Sequence, residues 1–158
     1  MKRDLKIRNL AQKLRRRTRS QRGAAAVEFA IVVPLLFLLI FGIIDFGFGF
    51  HAWDAAENAA REGARVAAVD PNPTDILARV RNSSNFLDQS KLNVSITCST
   101  NNGGSFGACA LGSSWNEGDI IRVTVIYAYN FITPLPHMVG LGSSLNETAI
   151  SESRFEGQ

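Results

Sequence analysis

The chain has 158 residues, with 17 Lys and Arg against 14 Asp and Glu, and a formal net charge of +3. Residues 1–22 contain ten basic residues and one acidic residue, so they carry +9, whereas the other 136 residues carry −6. The sequence pI of about 9.2 therefore reflects one short tail and argues against a chain-wide basic domain that binds nucleic acid. The length excludes a large multidomain enzyme and leaves room for one small domain with accessory segments.

The most apolar stretch predicts a membrane-spanning helix. Residues 29–44 read FAIVVPLLFLLIFGII, 16 residues without a polar side chain. As a helix, the 22 residues of 29–50 would extend about 33 Å, which matches a bilayer core of about 30 Å. A lone span must be helical because lipid offers its backbone no hydrogen-bond partner. We expect Pro34 to kink this helix mildly. The predicted transmembrane helix covers residues 24–50.

The charges on either side of the span predict its orientation. The positive-inside rule places a basic leader, residues 1–23, in the cytoplasm and the chain beyond the span outside. Phe46, Phe48, Phe50 and Trp53 suit the aromatic belt at the outer interface. A cleaved secretory signal peptide is the alternative, but the apolar run exceeds the usual apolar core of about 7–15 residues. A retained anchor is therefore favoured.

A short pattern marks the entrance to the span. Gly23 is followed by Ala24 and, five residues after Gly23, by the dipeptide Glu28-Phe29. A carboxylate at the edge of an apolar run is costly unless it has a partner or lies at the headgroup level. The pattern G-x-x-x-x-E-F resembles the prepilin peptidase site of type IV pilin-like proteins, in its tight-adherence (Flp) variant. That resemblance implies a cut after Gly23, which would leave an α-amine on Ala24 able to neutralise Glu28.

The resemblance extends over residues 22–69, which look like the TadE-like family of pseudopilins. It rests on Arg22-Gly23-Ala24, the VEFA run of 27–30, Pro34, Gly42-x-x-Asp45 and the AAREGAR block of 59–65. The family implies single-pass proteins of the bacterial inner membrane that a prepilin peptidase cleaves and that help to assemble a tight-adherence pilus. Other pilin and pseudopilin subunits, the pilus assembly complex and the lipid bilayer are the implied partners. Major Flp pilins carry Tyr where this chain has Phe29, which favours an accessory pseudopilin.

Beyond the span, residues 51–70 predict a helix that continues it outside the membrane. The segment is rich in alanine and has no proline before residue 71. Its small residues share one face and allow close packing, through Ala52, Ala56, Ala59 and Gly63. This face could pack on the chain's own outer domain or on partner subunits, and we expect packing on its own domain chiefly beyond Arg61.

Residues 71–158 predict a small periplasmic domain. Asp70-Pro71-Asn72-Pro73 ends the long helix, and a short helix follows through about Arg81. Residues 92–98 and 119–131 have strand patterns, residues 148–155 a weaker one, and residues 133–142 suggest a mobile connection. The predicted fold is therefore α+β: one transmembrane helix extended into a long pilin-like helix, then a short helix and an antiparallel β-sheet.

The two cysteines and the lack of catalytic motifs complete the prediction. Cys98 and Cys109 flank a glycine-rich turn, and in an oxidising periplasm they predict a disulfide. The sequence contains no P-loop, dinucleotide-binding or hydrolase motif and no metal-ligand spacing, so we expect no enzyme activity, cofactor or metal. The alternative function is an uncleaved bitopic anchor whose periplasmic domain binds a partner.

Overall fold

The computed structural model describes residues 2–99, 104–109 and 116–156, with side chains from residue 23 onward. The basic side chains of the leader and the predicted turn residues 101–103 lie outside this part. The described elements are the helices α1 (Lys2–Ala67), α2 (Pro73–Ser83) and α3 (Leu135–Met138) and the strands β1 (Leu92–Ser99), β2 (Gly107–Ala108), β3 (Ile120–Asn130) and β4 (Ser144–Arg154). The chain forms two compact units, Met1–Ile43 and Ile44–Gln158.

The first unit consists of the N-terminal part of α1. Within the described residues, Gly23–Ala67 is the helical stretch long and apolar enough to cross a membrane. Its large apolar side chains are exposed, for example Phe29 at 70%, Ile31 at 71% and Leu35 at 68%. Pro34 lies inside α1 without ending it. Proline lacks an amide hydrogen, so the helix loses one hydrogen bond there, and the neighbouring turns keep theirs. Apolar side chains open to their surroundings are what a helix facing lipid requires.

The second unit contains a four-stranded antiparallel sheet in the order β2-β1-β3-β4. Strand β3 is central, and its Val125 pairs with Val94 on one side and with Ala149 on the other. Two helices and this sheet confirm the predicted α+β class.

The core of the second unit lies between one face of the sheet and the helices. Alternate residues of β3 are buried from Ile121 to Tyr129, as the two-residue period of a half-buried strand requires. They cluster with Ile76 and Val80 of α2 and with seven alanines of α1: Ala52, Ala55, Ala56, Ala59, Ala60, Ala64 and Ala67. Alanine side chains allow a helix to lie close to the larger side chains of the sheet.

The element boundaries differ from the sequence prediction at several points. Helix α1 ends at Ala67, and the Asp70 amide closes its end by donating to the Val66 carbonyl at 2.8 Å. Asn72 caps α2 by accepting from the Thr74 amide at 3.0 Å. Strand β4 begins at Ser144, four residues earlier than predicted, because β3 supplies pairing partners along its whole length.

Candidate functional site

The predicted peptidase site lies on the surface of the first unit. Gly23, Ala24, Glu28 and Phe29 are all exposed residues of α1. A Cβ atom added at Gly23 would meet no atom within 4 Å. None of the ion pairs in the described part of the chain uses Glu28. The first unit therefore presents these four residues without covering them.

The predicted packing face lies in the core of the second unit. Ala52, Ala56 and Ala59 are 5%, 0% and 0% exposed, and Gly63 is also buried. At Gly63, an added Cβ would come within 2.5 Å of Val80 Cγ2, so only glycine fits at this point. Packing of α1 on the chain's own domain therefore includes Ala52, Ala56 and Ala59 and is not confined to residues beyond Arg61.

Asp45 forms a junction that the sequence reasoning did not foresee. Its side chain is 5% exposed. Oδ1 accepts from the amides of Ile132 at 2.8 Å and Thr133 at 3.1 Å, and Oδ2 accepts from the Thr133 hydroxyl. The Tyr129 hydroxyl donates to the Asp45 carbonyl oxygen at 3.3 Å. We call this set of contacts the Asp45 clamp. It joins the end of β3 to the part of α1 that belongs to the second unit, near the first residues of that part.

The Asp45 clamp had only an indirect signal in the sequence. Asp45 ends the Gly42-x-x-Asp45 pattern and directly follows the apolar run, where an acidic residue needs a reason to be tolerated. Its side-chain partners are 87 and 88 positions away. A separation of that size leaves no periodic pattern in one sequence.

A second buried carboxylate, Glu147 of β4, faces the same part of α1. Glu147 is 9% exposed, and its Oε2 has no hydrogen-bond partner within the described residues. Burial raises the pKa of Glu147 because desolvation disfavours the charged form. Burial, together with the carboxylates of Asp45 and Glu147, also raises the pKa of the Tyr129 hydroxyl. A Cβ added at Gly49 would lie 3.5 Å from Glu147 Oε1.

The Cys98–Cys109 disulfide is formed, with the two Cα atoms 5.1 Å apart, which confirms the prediction. Cys98 is in β1 and Cys109 directly follows the two-residue strand β2. Only two residue pairs join β2 to β1. The disulfide therefore adds a covalent link to a strand that strand pairing alone holds weakly.

Several charged side chains of the second unit form ion pairs. A groove at the end of α1 is lined by Glu62, Arg65, Asp70 and Arg79 with two valines, and Glu62 and Arg79 pair at 2.5 Å. Across the described ranges, no three His, Cys, Asp or Glu side chains gather as metal ligands. These contacts stabilise the packing of α1 against α2.

The fold and the exposed apolar helix define a class: an α+β domain carried on a candidate membrane-spanning helix. Residues 23–65 match the family model described as TadE-like protein, which confirms the resemblance seen in the sequence. The match begins at Gly23 and includes Glu28, Asp45 and the buried alanine face. No curated protein and no solved structure matches the chain significantly.

Proposed function

We propose that the chain is a TadE-like pseudopilin that acts in the assembly of a tight-adherence (Flp) pilus or secretion system. In this proposal a prepilin peptidase cleaves it after Gly23, and it is a single-pass protein of the bacterial inner membrane. The match over residues 23–65 carries the proposal. The leader of residues 1–23 is cytoplasmic, residues 24–50 span the membrane, and residues 51–70 and 71–158 are periplasmic. The role is structural, not enzymatic.

The exposed peptidase segment supports cleavage on physical grounds. Gly23 lies inside α1, where glycine destabilises a helix by about 1 kcal/mol relative to alanine. The helix therefore opens more easily at Gly23, and a peptidase needs such local opening to reach the backbone. Cleavage would remove the +9 leader and create an ammonium on Ala24. That group can pair with Glu28 in the same chain or in a neighbouring subunit.

The buried alanine face limits where other subunits can bind. Ala52, Ala56 and Ala59 contribute to the chain's own core, so helix contacts with partner subunits must use other surfaces. The first unit supplies such a surface, since Phe29, Ile31 and Leu35 are exposed. Subunit association through this segment would take place within the bilayer, where close packing rather than water exclusion drives helix contacts.

Gly23→Leu tests the cleavage. We expect the unchanged chain from the native host to begin at Ala24 and the variant to keep its leader, because the larger side chain blocks the peptidase. N-terminal sequencing and the increase in mass measure this. Gly47→Leu is the matched control, since Gly47 is also an exposed helical glycine whose added Cβ would meet nothing within 4 Å. Normal size and piliation of Gly23→Leu would show that the peptidase proposal is wrong.

The second candidate is an uncleaved bitopic anchor whose outer domain binds a partner. The observation that favours it is the self-contained second unit, Ile44–Gln158, with its own core and disulfide. The same sequencing experiment separates the two candidates, because the anchor would begin at residue 1 or 2.

A further inference from the structure

The connection between β3 and β4 is an unusual surface for a domain in water. We call residues 131–143 the apolar loop. These 13 residues include no Asp, Glu, Lys or Arg, although 20% of the whole chain is charged. Four large apolar side chains of this loop are open to the surroundings: Ile132 at 59%, Met138 at 79%, Val139 at 55% and Leu141 at 69% exposed. Exposed apolar side chains grouped in one segment indicate a binding surface.

The Asp45 clamp fixes the position of the apolar loop. Asp45 accepts hydrogen bonds from Ile132 and Thr133, at the start of the loop. In the chain, Asp45 is the first residue after the apolar run that ends at Ile44. The clamp therefore holds the loop at the end of the predicted span, where aromatic residues follow on α1. Phe46 is 77% exposed and its ring centroid lies 6.5 Å from that of Phe50.

The backbone of the apolar loop satisfies most of its own hydrogen bonds. Of the eleven residues 131–141, two are prolines without an amide hydrogen and seven donate within the protein. The Leu141 amide, for example, donates to the Pro136 carbonyl at 2.8 Å. Gly140 and Gly142, at φ of 78° and 80°, allow the turn that makes this possible. A backbone paired in this way loses little when water is removed.

We propose that the apolar loop lies in the outer interfacial layer of the bilayer, as a second membrane contact beside the span. The occupant of this surface is lipid. Three observations favour lipid over a protein partner: the absence of charge, the paired backbone, and continuity with the exposed aromatic residues at the end of the span. The proposal rests on the membrane anchoring proposed above. It adds a lipid contact that the domain makes through its own loop.

The test places a fluorescent reporter on the loop. The full chain carrying Trp53→Phe, Trp115→Phe and Leu141→Trp is reconstituted into vesicles of phosphatidylcholine, with or without bromine on the acyl chains. We expect the introduced indole to emit at shorter wavelength than in water and to lose most of its intensity in brominated vesicles. The control replaces Leu141→Trp with Ile150→Trp. Ile150 is 58% exposed on β4 and about 17 Å along the strand from Leu145 at roughly 3.4 Å per residue.

Retention of the protein by the vesicles after alkaline extraction is measured on the same samples. If the chain is retained but the indole at position 141 is as little quenched as that at position 150, the loop proposal is wrong while the anchor stands. Protection of this indole from an aqueous quencher without quenching by bromine would indicate packing against a second copy of the chain and would also overturn the proposal. If the chain is not retained at all, the anchor itself fails.

Discussion

Asp45 connects segments that are far apart in the sequence. A carboxylate at the end of an apolar run is expensive to bury, but here each oxygen accepts at least one hydrogen bond from residues 132 and 133. The pairing explains why an acidic residue is tolerated at 5% exposure. It also gives the Gly42-x-x-Asp45 pattern a structural role in this chain, because the last residue of that pattern positions the end of β3.

Asp45→Ala should lower the free energy of unfolding of the second unit by about 1–3 kcal/mol, since it leaves partly buried donors without an acceptor. Denaturant unfolding of the full chain in detergent measures the change. Hydrogen exchange at the Ile132 and Thr133 amides should accelerate in parallel. Asp54→Ala is the control, because Asp54 is exposed on the same helix. Equal stability of the two variants would mean that the clamp contributes nothing.

Glu147 should make the stability depend on pH. Burial raises the pKa of Glu147, so its contribution to stability is fully present below its unfolded pKa of about 4.3. The contribution is lost as the pH rises through the higher folded pKa. Tyr127 is the pairing partner of Glu147 on β3, and the Glu147 carboxylate acts electrostatically on the nearby Tyr129 hydroxyl.

We therefore expect Glu147→Gln to be more stable than the unchanged chain at neutral pH and to lose this advantage as the pH approaches about 4. Urea unfolding over that range measures it. Glu152→Gln is the control on the same strand, since the Glu152 carboxylate is satisfied by Arg122 Nε at 2.7 Å. If the stability advantage of Glu147→Gln over the unchanged chain is the same at every pH, titration of Glu147 does not cause it.

At the scale of elements, the approach of α1 to α2 and β3 depends on the absence of one side chain. A Cβ at Gly63 would lie 2.5 Å from Val80 Cγ2 and 3.2 Å from Val123 Cγ1. Both neighbours are completely buried, so neither has space into which it can move. The missing side chain at Gly63 therefore sets the spacing between α1 and its neighbours.

Gly63→Ala should destabilise the second unit, because overpacking costs about 1–3 kcal/mol and outweighs the gain in helix propensity of about 1 kcal/mol. Thermal or denaturant unfolding measures the change. Gly49→Ala is the matched control on α1, since its added Cβ would meet ordinary contacts at 3.5 Å. In a Val80→Ala background the substitution at Gly63 should cost less. A more stable Gly63→Ala chain would show that α1 can move away freely.

Regular elements were predictable because their patterns repeat over short distances. The alternating residues of β3 and the small-residue face of α1 each mark one buried surface, so β1, β3, β4, the helices α1 and α2 and the close packing at Gly63 followed from the sequence. The short elements β2 and α3 did not, because neither has a repeating pattern. The partners of Asp45 and the burial of Glu147 did not either, because both depend on contacts between distant segments. Residues 133–142 suggest a mobile connection in the sequence, since glycine and proline do not reveal the hydrogen bonds that this segment makes.

For the whole molecule, the two units present different surfaces. In the described side chains of the first unit, from residue 23 onward, large apolar groups are exposed, whereas the second unit covers its part of α1 with its own sheet. The TadE-like segment, residues 23–65, extends from one unit into the other. The matched segment therefore supplies both the candidate anchor and the helical part of the domain core, while the sheet comes from residues outside the match.

This arrangement fixes an order of events during synthesis, which proceeds from the N-terminus. Asp45 and the alanine face of α1 are made first, and their partners on β3 and in the apolar loop follow up to 88 residues later. Until those partners are made, each alanine exposes only one methyl group. The uncovered face of α1 therefore offers little apolar surface for incorrect association. The clamp can close once residues 132 and 133 are made, and the pairing of β4 with β3 follows, because Ser144–Arg154 is made later.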